Sequence, residues 1–165
     1  MGKLILFLLL YPLFGQSATK IQQALKNQIF TAKVIRIIDG DTMEILYKNK
    51  SIKIRLAHID CPEKGSSQPY NSNAKNALSD LCFGQQITIY PQNADRYGRL
   101  IAVIINAKKQ VVNQEMIKRG MAWHFKRYSK DPIYAKLEIE ARKNKVGLWQ
   151  GSNPIAPWNW RKPNK

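Results

Sequence analysis

Acidic side chains are scarce in this sequence: 11 Asp and Glu stand against 27 Lys and Arg in 165 residues, a formal charge of +16. A field of that sign repels basic partners and concentrates polyanions. Nucleic acid is the obvious partner, because basic groups displace condensed counterions from phosphates. Anionic membranes and cell-wall polymers would feel the same pull, so charge selects a partner class and no chemistry. Cysteine and histidine are also rare. Cys61, Cys82, His58 and His124 do not cluster, which argues against a structural zinc site. Long apolar runs are missing too. A spanning helix needs roughly 20 apolar residues, and the longest run here, Leu4 to Phe14, is shorter and broken by Tyr11 and Pro12. There are no internal repeats and no linker that would divide two domains. With hydrophobic residues at 44%, the chain can build one core.

The apolar run follows Lys3 and precedes Gly15, Gln16, Ser17 and Ala18. That is the layout of a secretory signal peptide, here residues 1–18. It predicts a secreted or periplasmic protein, with a membrane-anchored form as the alternative. Residues 19–29 read as a polar lead-in, 30–149 as the folded domain and 150–165 as a basic tail rich in Trp and Pro. Export permits a Cys61–Cys82 disulfide; the sequence leaves that pairing open.

From Phe30 the apolar period becomes two. Val34, Ile35, Ile37 and Ile38 mark one strand, and Asp39-Gly40-Asp41 a turn. Met43, Ile45 and Tyr47 alternate through a second strand, and Ile52, Ile54 and Leu56 through a third, Ser51 to Ile59. Ala74, Leu78 and Leu81 at helical spacing predict a helix from Tyr70 to Phe83, stopped by Gly84. Gln86–Tyr90 and Leu100–Asn106 give two more strands. Two further helices are expected, Gln114–Arg119 capped by Asn113, and Ile133–Lys145 after Pro132. The sum is an α+β, mostly β fold: a five-stranded OB barrel with three helices.

Few as the acids are, Asp39, Asp41, Glu44, Asp60 and Glu63 fall together within residues 39–63. If the second and third strands pair as a meander, Asp41 and Asp60 meet at one rim of the barrel. Two carboxylates held close favour a cation between them, and a hard ion such as calcium takes oxygen ligands. Taken singly, each residue has a plainer reading. Asp39 and Asp41 form turns by capping their own backbone, Glu44 is a solvated strand residue, and Arg55 and Arg99 are surface arginines. Taken together they supply what phosphodiester cleavage needs. Asp41 and Asp60 can hold a metal, Glu63 can activate water, and Arg55 and Arg99 can neutralise the phosphate with guanidinium forks.

The order of motifs resembles the staphylococcal nuclease (thermonuclease) family. Ile-Asp-Gly-Asp-Thr at 38–42, Arg-Leu-Ala-His-Ile-Asp-Cys-Pro-Glu at 55–63 and Asp-Arg-Tyr-Gly-Arg at 95–99 carry it. So do Val-Asn-Gln-Glu-Met-Ile-Lys-Arg-Gly-Met-Ala at 112–122 and Ala-Arg-Lys-Asn-Lys-Val-Gly-Leu-Trp at 141–149. The resemblance implies a calcium-dependent endonuclease acting on DNA and RNA and leaving 3′-phosphate ends; no stable protein partner is expected, and the oligomeric state is open with a monomer as the default. It implies Asp41, Asp60 and the Cys61 backbone carbonyl as Ca2+ ligands. Glu63 would be the general base, Arg55 and Arg99 the phosphate-binding pair, and Arg96, Tyr97 and Tyr128 the nucleotide-side contacts. The sequence departs from the family in a shorter loop between Glu63 and Tyr70, and in Lys126 near where a first stacking tyrosine is expected. The alternative is a non-catalytic OB-fold protein that binds nucleic acid or other polyanions. His58 and His124 read as packing residues, and Trp149 as a plug under the last helix. Trp158 and Trp160, beside Arg161 and Lys162, either stack bases or fold back on the domain.

Overall fold

Strand periodicity builds a barrel. In the computed structural model, which describes residues 14–65 and 68–162 with side chains from Lys20 onward, five strands close on one another. They are β1 (Phe30–Ile37), β2 (Thr42–Tyr47), β3 (Lys50–Leu56), β5 (Gln86–Ala94) and β6 (Leu100–Ile105), in the order β1-β2-β3-β6-β5. β3 and β6 pair in parallel and the other neighbours antiparallel, as an OB-type barrel requires. Val34, Met43, Ile45, Ile52, Ile54 and Leu56, apolar at the expected alternation, are buried, and so are Ile87, Ile89, Leu100 and Ile104 on the other two strands. Each such side chain contributes roughly 1.5–3 kcal/mol relative to exposure. Ile35 breaks the alternation and is exposed because a bulge between Val34 and Arg36 skips it in the pairing with β2. Pro91 sits inside β5, which runs on past Tyr90, at a second bulge where a missing N–H costs no ladder bond.

The third strand is shorter than expected. It stops at Leu56, and after a turn the two-residue strand β4 (Ile59–Asp60) pairs instead with β7 (Trp123–His124). The three expected helices are α2 (Asn71–Cys82), α3 (Val112–Lys118) and α4 (Pro132–Lys143). Asn113 does not cap α3, contrary to expectation. Its buried amide donates to the carbonyls of Ala57 and Ala102 and its Oδ1 accepts from Ile104 N, so it ties the helix to β6 and to the turn that follows β3. α4 is capped by Asp131, whose carboxylate accepts from Ile133 N at 2.9 Å.

Three further segments are ordered. α1 (Phe14–Leu25) crosses from the expected leader into the polar lead-in and packs Ile21 and Leu25 on the core. Residues 1–13 of that leader lie outside the described residues. A 3-10 turn (Gly147–Gln150) carries Trp149, which is buried edge-on against Trp123 with the Arg142 guanidinium 3.7 Å over its ring. The tail forms a short helix, α5 (Pro157–Trp160), and folds back so that Trp158 stacks on Phe125, centroids 5.6 Å apart and nearly parallel. Cys61 and Cys82 are both free and buried. Among the described residues no helix is long and apolar enough to cross a membrane.

Candidate active site

The register of β2 on β3 builds the site. Thr42 pairs with Arg55, so the residue that opens β2, Asp41, lies beside the end of β3. Leu56 N–H closes this rim on the Asp41 carbonyl at 2.8 Å. Arg55 then reaches both carboxylates: Nη1 lies 3.0 Å from Asp41 Oδ2 and Nη2 lies 2.7 Å from Asp60 Oδ1. The same guanidinium donates to the carbonyls of Leu56 and Ile59, each at 3.0 Å. Burial works against the charge on Arg55, yet Asp41 and Asp60 hold its pKa above the usual value. It is a fixed cation.

Gly40 allows the acidic turn to come this close. A Cβ there would stand 2.7 Å from Ala74 Cβ on α2 and 2.8 Å from Cys61 Cβ. Cys61 N–H donates to Asp41 Oδ2 at 2.9 Å, and Thr42 Oγ1 donates to Asp41 Oδ1 at 3.0 Å. The Cys61 thiol is deeply buried, and burial raises its pKa well above the ordinary thiol value. It is inert, and the residue serves the site through its main chain. Burial, then the neighbouring Asp41, pushes Asp39 up to about 6, and the same two causes raise Asp60 while Arg55 opposes them. Crowded, desolvated carboxylates of this kind are relieved by a cation.

Glu63 stands at the mouth of the site on a loop that Gln68 closes. The Gln68 N–H donates to the Glu63 carbonyl at 3.2 Å, and its buried side chain accepts from Glu63 N–H at 2.9 Å. Arg161 from the tail completes the cluster, with Nη2 2.8 Å from Asp60 Oδ2 and Nη1 bonded to Glu63 Oε1. Sequence reasoning placed Arg161 only within a basic tail. Nothing local distinguishes it from the other cations, and its role depends on how α5 folds back. Glu44, by contrast, leaves the cluster and pairs with Arg36 at 2.6 Å on the outer face of the barrel.

Arg99, Arg96, Tyr97 and Tyr128 are not in contact with these carboxylates. Asp95 holds Arg99 through Nε at 2.8 Å and also accepts from the backbone N–H of Tyr97 and Arg99, which shapes the turn. Arg96 and Arg99 lie over the Tyr97 ring, at 4.9 and 5.5 Å from its centroid. Tyr97 and Tyr128 are both largely exposed, and Tyr128 rests edge-on against Phe125. Exposed rings flanked by guanidinium groups suit base stacking.

The histidines form a packed polar chain. The Gln92 amide donates to His58 Nε2 (2.9 Å), which makes His58 Nδ1 the donor to Ser129 Oγ (2.9 Å). The same hydroxyl bonds to His124 Nε2 (3.0 Å), and both imidazoles stack on Tyr134.

The donors around Asp41 and Asp60 are hard oxygens, the chemistry calcium prefers over zinc. Among the described residues, no three Asp, Glu, His or Cys side chains form a metal-holding group. An ion here would therefore rest on two carboxylates, a main-chain carbonyl and water. That set fits calcium, and Arg161 already stands in as a cation on Asp60.

Residues 53–151 match the family described as staphylococcal nuclease homologue. An endonuclease of Haemophilus influenzae, itself named as uncharacterized, is 46% identical over 136 residues, covering 82% of this chain and 75% of the relative. A micrococcal nuclease of Shigella flexneri is 38% identical over 146 residues, covering 82% and 83%. A staphylococcal-like nuclease of Arabidopsis thaliana is 41% identical over 137 residues, covering 82% of this chain and 41% of the relative.

Proposed function

The chain belongs to the staphylococcal nuclease homologue family, and on that premise we propose that it is an exported, calcium-dependent endonuclease that cuts DNA and RNA and leaves 3′-phosphate ends. One observation carries the reading: Asp41 and Asp60 converge on one buried arginine with Glu63 beside them. Asp41, Asp60 and the Cys61 carbonyl would hold the ion. When bound, calcium supplies Lewis-acid stabilisation of a non-bridging phosphate oxygen.

The chain's own residues do the rest. Glu63 orients a water and accepts its proton as the water oxygen bonds to phosphorus. The bond from phosphorus to the 5′ oxygen breaks, that oxygen leaves as a hydroxyl with a proton taken from solvent, and the phosphate stays on the 3′ side. Arg55 donates to a phosphate oxygen as negative charge develops, from a position fixed before substrate arrives. Arg99, once released from Asp95, donates to another phosphate oxygen. Arg96, Tyr97 and Tyr128 grip the nucleotide outside the reacting centre. The charge of +16 brings the polyanion in.

Incubating the full chain with a labelled single-stranded oligonucleotide tests the reading. Cleavage in calcium, none in chelator, and products that a polymerase extends only after phosphatase treatment are expected. Salt-sensitive binding without turnover would assign the protein to polyanion binding instead. The apolar run at the N-terminus supports export, and a mature chain beginning near Ala18 or Thr19 by mass spectrometry is the expected result.

A further inference from the structure

The two oxygens of Asp60 are taken by two different arginines. Arg55 Nη2 holds Oδ1 at 2.7 Å, and Arg161 Nη2 holds Oδ2 at 2.8 Å. Asp60 is nearly inaccessible to solvent, at 1% exposure. Any ion that uses this carboxylate must therefore compete with one of the two guanidiniums.

They are not equally free to leave. Arg55 is buried and also donates to the carbonyls of Leu56 and Ile59, so displacing it would strand two acceptors and a second carboxylate, that of Asp41. Arg161 has a half-exposed side chain, 43% against 12% for Arg55, and reaches the site from the edge. Its other partner, Glu63, is itself partly exposed. The exchangeable cation is Arg161.

Its placement depends on the fold of the tail. Asp60 and Glu63 lie 101 and 98 residues earlier in the chain. The Trp158–Phe125 stack holds α5 in place. The Gln68 side chain adds a second anchor: it accepts from Glu63 N–H and donates to the Ile155 carbonyl at 2.6 Å, which ties the Glu63 loop and the tail into one unit. With the backbone fixed on both sides, exchange requires only a swing of the arginine side chain.

We propose that Arg161 is the resident cation of this carboxylate site, and that a divalent ion binds Asp60 by displacing it. The C-terminal tail thereby sets the affinity of the site for the ion. This rests on the metal-dependent reading above and adds a residue to it. Removing the competing charge leaves Asp60 and Glu63 with less compensation, and the ion binds more tightly.

Calorimetric titration of the full chain with calcium chloride, without nucleic acid, tests this. Arg161→Gln is expected to bind calcium about tenfold more tightly than the native chain, the scale of roughly 1.4 kcal/mol. Arg161→Lys, which keeps the charge without the fork, falls between. Trp158→Ala, which loosens the tail but leaves the arginine intact, shifts affinity the same way. Equal or weaker binding by Arg161→Gln, with binding intact in the native chain, overturns the proposal alone. No binding in any of these chains overturns both it and the calcium reading.

Discussion

Two regions of the rim differ in how they hold their charges. The carboxylate cluster is buried, and strand register and main-chain hydrogen bonds fix its cation before any ligand arrives. Arg96, Tyr97 and Tyr128 are exposed and Arg99 is half-buried, and the two arginines rest on Tyr97 and on Asp95. Fixed dipoles and charges stabilise a transition state because they need no reorganisation. Exposed rings on a turn suit bases of any identity, since every base offers a face for stacking. On the proposed reading the chemistry lies at the buried cluster, with Arg99 reaching the phosphate from the turn, and the exposed rings supply a non-specific grip.

Removing the buried cation is expected to have the largest effect. Arg55→Ala leaves two buried carboxylates without their shared partner and the phosphate without a donor. Cleavage should fall by about a thousandfold, and urea unfolding should show a loss of about 3 kcal/mol. Arg55→Lys should recover part of the stability and little of the rate, because one ammonium cannot span both carboxylates. Rates within tenfold of the native chain in Arg55→Ala would erase the contrast between the two regions. On the exposed side, Tyr97→Ala and Tyr128→Ala should raise KM with kcat nearly unchanged, since a stacked base contributes about 1–3 kcal/mol. A loss in kcat alone would move these rings into the chemistry.

The smallest expected effect lies below both regions. Burial lowers the pKa of His124 from its ordinary value, with Glu138 and Asp131 opposing and Lys126 and His58 reinforcing. Tyr134 stacks against its ring. Its Nε2 lies 3.0 Å from Ser129 Oγ, and its buried Nδ1 has no hydrogen-bond partner among the described residues. A histidine held neutral in the fold contributes stability that is complete above its unfolded pKa, about 6.5, and is lost as pH falls through it toward the lower folded value. The His124 contribution to the urea midpoint should therefore drop from pH 7 to pH 5, against the opposite pull of Asp39 and Asp60, and His124→Asn should change the pH slope by that amount. An unchanged slope would exclude the imidazole as its source.

The barrel was legible because alternation is local: Met43, Ile45, Ile52 and Ile54 point inward in sequence and in structure. The meeting of Asp41 and Asp60 followed from assuming a meander, and the Thr42–Arg55 register supports it. Asn113 misled because a small polar residue before a helix usually caps it; here the carbonyls of Ala57 and Ala102 claim its amide. β4 ran on from β3 in the sequence pattern, since His58 gives no sign that the chain turns there to pair with Trp123 and His124. Arg161 was the least legible. Its place is set by contacts with Phe125 and Gln68 that no periodicity reports.

The central claim is that Asp41 and Asp60, joined by Arg55, form one ion-dependent cleavage site. Its most direct test is the cleavage rate of a single-stranded oligonucleotide as a function of calcium, for the native chain and for Asp60→Asn. The account predicts saturable activation of the native chain, and an Asp60→Asn chain that stays folded but is inactive at calcium concentrations that saturate the native one. Equal rates in the two chains, or native cleavage that persists in chelator, would contradict it.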